Sequence, residues 1–163
     1  MTTDQFLTIQ SIAEELLKRG WWLATAESCT GGGIAAALTA VPGSSRWFAG
    51  GLVTYAVPWK ERLLGVPHAT IAQCGVVSEE TVAAMLRGLQ ERHGVQAGVA
   101  VSGIAGPGGA EPGKPVGTVV VGACAGAQRR VETCHFDGDR EAVRASAVAR
   151  GLAMLERLLR ENP

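Results

Sequence analysis

Side chains able to do covalent chemistry collect where an apolar run gives way to glycine. Trp21 to Ala26 is apolar, Glu27-Ser28-Cys29-Thr30 follows, and Gly31, Gly32 and Gly33 lead into the helix-forming Ile34 to Leu38. Hydroxyl and thiol groups therefore fall where a strand turns into a helix. Glycines there let a ligand approach the backbone, and the N–H groups of a helix start can hold an anion or a developing oxyanion. The alternative is an ordinary strand-to-helix turn with a serine or threonine as N-cap. Ser28 and Cys29 are both eligible nucleophiles, although Cys29, with no histidine nearby in sequence to activate it, reads as a small packing residue.

Two further apolar runs end in reactive groups. The run from Arg46 to Ala56 delivers Tyr55, with Lys60 five residues on, and Val95 to Val101 empties into Ser102 and the glycine-rich segment Gly103 to Gly109. In open α/β sheets ligands gather at the carboxyl ends of strands. If these strands are neighbours, a hydroxyl, a phenol and an amine converge in one crevice, a Ser–Lys type of site. A lysine on a short helix is ordinarily solvated. With Pro58 at the first helical turn, however, Lys60 sits at the positive end of the macrodipole, which lowers its pKa toward that of a general base. Arg140 is likewise a cation in a first turn, suited to an anionic ligand or to pairing with Asp137 or Glu141. Gly108 to Lys114 has the G-x-x-x-x-G-K spacing of a P-loop, but Pro115 and a strand follow where Ser or Thr and a helix are required. Ser28 does not lie in a G-x-S-x-G elbow.

The elements that must position these groups follow from periodicity and punctuation. Asp4 to Arg19 reads as an amphipathic helix capped by Thr3 and stopped by Gly20, Trp21 to Ala26 as a strand, and Gly32 to Ala40 as a small helix. Arg46 to Ala56 reads as a strand bent or bulged at Gly50-Gly51, Pro58 to Leu64 as a short helix, and Gly65 to Val77 as irregular. A helix runs from Ser78 to His93, with Val82, Met85, Leu86 and Leu89 inward. Val95 to Val101 is a central strand, Val116 to Ala125 and Arg130 to Phe136 form a hairpin, and Asp139 caps a last helix to Arg160. The expected fold is a three-layer α/β/α sandwich around a mixed, mostly parallel sheet of five or six strands, one domain over residues 1–163.

Composition narrows the partners. With 15 basic and 15 acidic residues the formal charge is zero, which argues against nucleic acid as a partner and favours a small molecule. The four cysteines form no C-x-x-C pair and the three histidines no metal-ligand spacing, so reduced thiols, no metal and no cofactor are expected. His68 and His93 read as surface residues. No apolar run reaches the roughly 18 residues of a membrane span and the start is polar, which points to a cytoplasmic protein with no membrane partner.

Taken together the motifs resemble the CinA C-terminal domain family: T-A-E-S-C-T-G-G at 25–32, V-P-G-S-S at 41–45, Tyr55 five before Lys60, G-V-V-S-E-E at 75–80, S-G-I-A-G-P-G-G at 102–109, K-P-V-G-T-V at 114–119 and F-D-G-D-R at 136–140. The resemblance covers nearly the whole chain and implies deamidation of nicotinamide mononucleotide, a small-molecule nucleotide, by the stand-alone form of the domain. It further implies Ser28 as nucleophile, Lys60 as its base and Tyr55 as an assisting hydroxyl, with Ser102 and Arg140 in the substrate pocket. The same reading places Glu27, Thr30, Gly31, Gly32, Gly106, Gly108 and Gly109 around the substrate, with the Thr30-Gly31-Gly32 turn as oxyanion cradle, in a homo-oligomer. The sequence departs from the family at Ser102, where Thr is usual, and at Ala56-Val57-Pro58-Trp59, more rigid and apolar than the usual segment. The rival function is a non-catalytic nucleotide-binding or regulatory module linked to competence or DNA damage.

Overall fold

Capping chemistry sets the helix boundaries. In the computed structural model, which describes residues 1–161, helix α1 (Thr3–Arg19) starts from Thr2 and stops at Gly20, which is left-handed at φ 63°. The cap is Thr2 rather than Thr3, because Gln5 then stands third in the helix and closes a capping box with it. The remaining elements are β1 (Leu23–Glu27), α2 (Gly33–Thr39), β2 (Phe48–Val53), α3 (Val57–Leu64), α4 (His68–Cys74), α5 (Glu79–His93), β3 (Ala97–Gly103), β4 (Thr118–Ala125), β5 (Gln128–His135) and α6 (Arg140–Glu161). As expected, Ser78 caps α5, Gly94 ends it, and the Asp139 carboxylate accepts the Ala142 N–H at the head of α6.

Two expectations need correction. The segment from Gly65 to Val77 is not irregular throughout, since α4 occupies its middle; α4 buries no residue, so it carries no apolar stripe, and Pro67 and Gly75 mark its ends rather than a loop. Strand β2 begins at Phe48 because Ser44–Arg46 form a 3-10 turn, and its irregularity falls at Ala49, which the register skips as Leu23 pairs with Phe48 and Ala24 with Gly50.

The sheet has five strands in the order β2-β1-β3-β4-β5. β1 pairs in parallel with both β2 and β3, whereas β3–β4 and β4–β5 are antiparallel, so parallel and antiparallel pairings are equal in number rather than mostly parallel. Alternation along the strands sends Leu23, Val99 and Val101 to a core shared with α1, α2 and α6. It sends Ala24, Ala26 and Ala100 to a second core under α3 and α5. The expected three layers result. From β1 the chain moves outward to β2, and from β3 it moves the other way to β4, which makes the carboxyl ends of β1 and β3 a topological switch point.

Candidate active site

At that switch point Ser28 follows the last residue of β1, and its N–H donates to the Val101 carbonyl of β3 (3.0 Å). The end of β2 is tied in the same way, with the Thr54 N–H donating to the Glu27 carbonyl (2.8 Å). Helix α3 then returns Lys60 beneath the loop. Its Nζ lies 3.1 Å from Ser28 Oγ, 2.5 Å from the Thr54 carbonyl and 3.3 Å from the Tyr55 carbonyl. The strand ends expected to be neighbours are neighbours, and Lys60 is fully buried rather than solvated.

Burial is the main cause of the low Lys60 pKa, about 8 against an ordinary 10.5, while nearby Cys29 opposes the shift. The cause is thus loss of water around the amine rather than the helix macrodipole expected from sequence, and Lys60 is the fourth residue of α3. A neutral amine has two N–H groups and one lone pair. Here two backbone carbonyls are placed to take the N–H groups, which turns the lone pair to the Ser28 hydroxyl, the disposition a general base requires. The Thr54 hydroxyl beside this cluster is buried without a hydrogen-bond partner among the described residues. Burial also pushes the Cys29 thiol up to about 11, which leaves it a poor source of thiolate and bears out its reading as a packing residue.

Above Ser28 opens a cleft of about 300 Å³ whose lining includes Ser28, Tyr55, Arg140, Gly106, Gly108 and Gly109. Lys60 is not part of that lining and is reached from the cleft through Ser28. Arg140 donates to the Gly106 carbonyl (2.8 Å) and the Tyr55 hydroxyl oxygen (3.1 Å), and among the described residues it pairs with neither Asp137 nor Glu141. A cation is thus presented beside a glycine-rich loop, a surface suited to an anionic group. A larger hollow of about 440 Å³, lined by Ser78, Glu79, Lys114 and His135 among others, reaches neither Ser28 nor Lys60.

Several residues expected around the substrate stand behind the cleft instead. The buried Glu27 carboxylate accepts from the hydroxyls of Thr25 (3.0 Å) and Thr30 (2.7 Å) and from the N–H groups of Ile34 (3.0 Å) and Ala35 (2.9 Å). It caps α2, whose own N-cap Gly32 has no side chain to do so. Ser102 is buried and donates to the Val76 carbonyl (2.9 Å). The Gly31 N–H is taken by the Ser28 carbonyl (2.9 Å) and the Gly33 N–H by the Thr30 carbonyl (3.0 Å), so in this turn Thr30 and Gly32 keep N–H groups without a partner among the described residues. Sequence reasoning missed Arg144, which donates from Nε to the Cys29 carbonyl (3.1 Å) and from Nη2 to the Thr30 carbonyl (3.0 Å). Its position one helical turn after Arg140 was the available signal.

Known proteins resemble this chain in sequence and in fold over most of its length. The family described as the CinA C-terminal domain matches residues 7–159. The chain is 51% identical over 148 residues to the nicotinamide-nucleotide amidohydrolase PncC of Pseudomonas putida, covering 91% of each protein. It is 44% identical over 149 residues to a CinA-like protein of Geobacter metallireducens, covering 91% of this chain and 36% of that longer one. Among solved structures, a competence-damaged protein (CinA) superfamily protein from Klebsiella pneumoniae superposes with a TM-score of 0.90 at 38% identity, over 96% of this chain and 98% of the other.

Proposed function

The chain belongs to the CinA C-terminal domain family, and from that premise we propose that it hydrolyses the carboxamide of nicotinamide mononucleotide to nicotinate mononucleotide and ammonia. The observation that carries the mechanism is the 3.1 Å approach of Lys60 Nζ to Ser28 Oγ at the floor of the cleft. Ser28 Oγ attacks the carboxamide carbon as its proton passes to Lys60 Nζ, and the Thr30 and Gly32 N–H groups are the candidates to hold the oxyanion. The C–N bond breaks and ammonia leaves with the proton held on Lys60, passed directly or relayed through the Tyr55 hydroxyl, which returns Lys60 to its neutral form. Water then gives a proton to Lys60 and adds to the ester carbon; the C–Oγ bond breaks, Ser28 is reprotonated and the acid departs. Arg140 and the loop Gly106 to Gly109 take the ribose-phosphate end, where a cation and backbone N–H groups suit a phosphate.

The test is ammonia release from nicotinamide mononucleotide by the purified protein. Ser28→Ala and Lys60→Ala are each expected to lower kcat by about 10³-fold or more, because nucleophile and base act as a unit. Undiminished turnover in both variants would overturn the mechanism. A wild-type protein that binds the mononucleotide but releases no ammonia would instead be a nucleotide-binding module.

A further inference from the structure

Four arginines of β5 and α6 are matched to carboxylates: Arg150 to Glu132, Arg130 and Arg157 to Glu161, and Arg160 to Glu156. Arg144 differs. Partly buried on the first turns of α6, it has no ion pair among the described residues, and its donors go to two consecutive carbonyls of the loop that carries Ser28. Those carbonyls, of Cys29 and Thr30, belong to the Cys29–Thr30 and Thr30–Gly31 peptides. A trans peptide is planar and its C=O and N–H point in opposite directions. Fixing the Thr30 carbonyl on Arg144 directs the Gly31 N–H the other way, onto the Ser28 carbonyl, where it closes the turn. Fixing the Cys29 carbonyl directs the Thr30 N–H away from α6. Arg144 does not line the cleft, whereas Ser28 and Cys29 do. The loop is also packed against the guanidinium: a Cβ on Gly31 would stand 3.4 Å from Arg144 Nη2.

We infer that Arg144 is a positioning residue for the oxyanion site: by holding the Cys29 and Thr30 carbonyls toward α6 it keeps the Thr30 N–H presented beside Ser28. The inference rests on the Ser28 mechanism above. Its consequence is kinetic. An interaction that organises donors for a charge present only in the transition state lowers kcat and kcat/KM together and leaves KM unchanged. The guanidinium touches neither the cleft nor the reacting atoms, so its loss is expected to cost about 10- to 100-fold, less than deleting a donor outright.

The experiment compares wild type with Arg144→Ala and Arg144→Lys in two assays. In steady-state turnover of nicotinamide mononucleotide, Arg144→Ala is expected to show the kcat loss at unchanged KM. Millimolar guanidinium should restore much of the activity to Arg144→Ala and none to wild type, and Arg144→Lys should fall in between. The second assay is the rate at which a fluorophosphonate labels Ser28, which uses the same oxyanion site but no amide; it should slow in parallel. A wild type that labels at Ser28 yet releases no ammonia would refute the substrate, while the labelling series would still decide the role of Arg144. Wild-type kcat and labelling rate in Arg144→Ala would overturn the inference. So would a loss that guanidinium does not restore and that tracks a lowered unfolding temperature in both variants, since that describes a merely structural arginine.

Discussion

A buried amine beside a hydroxyl is a base only while it is unprotonated, and the surroundings of Lys60 decide when that is. With the pKa lowered to about 8 by burial, the amine is mostly protonated at neutral pH and mostly free above pH 8. The fraction in the basic form, and with it kcat/KM, should rise about tenfold per pH unit well below pH 8 and level off above it. Initial rates between pH 6 and 9.5 check this, and a profile flat across that range would mean that Lys60 is not the base. Lys60→Arg should be inactive throughout, since a guanidinium does not deprotonate in this range. At this scale the sequence discloses types and spacings but not directions. Ser28, Tyr55, Lys60 and Arg140 were legible as reactive groups at strand and helix ends. That Glu27 would turn back to cap α2, or that Ser102 would turn to Val76, depends on which face of the strand each occupies once the helices are packed.

Elements transmit position to these residues. Helix α3 carries Lys60 and packs against α5 at Gly88, where an added Cβ would stand 2.0 Å from the Leu64 carbonyl oxygen, a backbone atom that cannot rotate aside. Gly88→Ala should therefore push the end of α3 outward and draw Lys60 away from Ser28. The expected result is a kcat reduced by about 10-fold or more, since displacements near 1 Å can cost about 10²-fold, with a stability loss of about 1–3 kcal/mol from overpacking. Kinetics and thermal unfolding of the variant check both, and wild-type values would show that α3 has slack to give. Long helices with caps, such as α5 between Ser78 and Gly94, were readable in the sequence because periodicity and capping agree. Helix α4 was not, because it is short and buries no residue fully, and the demand on Gly88 was not, because it arises from a neighbour 24 residues away in sequence.

In the molecule as a whole, two layers of helices meet at a sheet whose switch point lies between β1 and β3, and the fold accommodates there a buried amine that it would be more stable without. Between pH 8 and 10.5 the unfolded chain holds a proton on Lys60 that the folded chain has largely released. Stability rises with pH wherever the unfolded state binds more protons, so this residue's penalty is fully present below pH 8 and disappears as the pH climbs to 10.5. Lys60→Met keeps the length of the stem and removes the titrating group. It should therefore be at least as stable as wild type at pH 7, and wild type should gain on it as the pH is raised through that window. Paired denaturation curves at pH 7, 8.5 and 10 measure the difference, in which the titrations common to both proteins cancel. A constant difference across the three pH values would mean that the folded protein does not depress the amine, and the general-base role would lose its physical basis along with the stability effect.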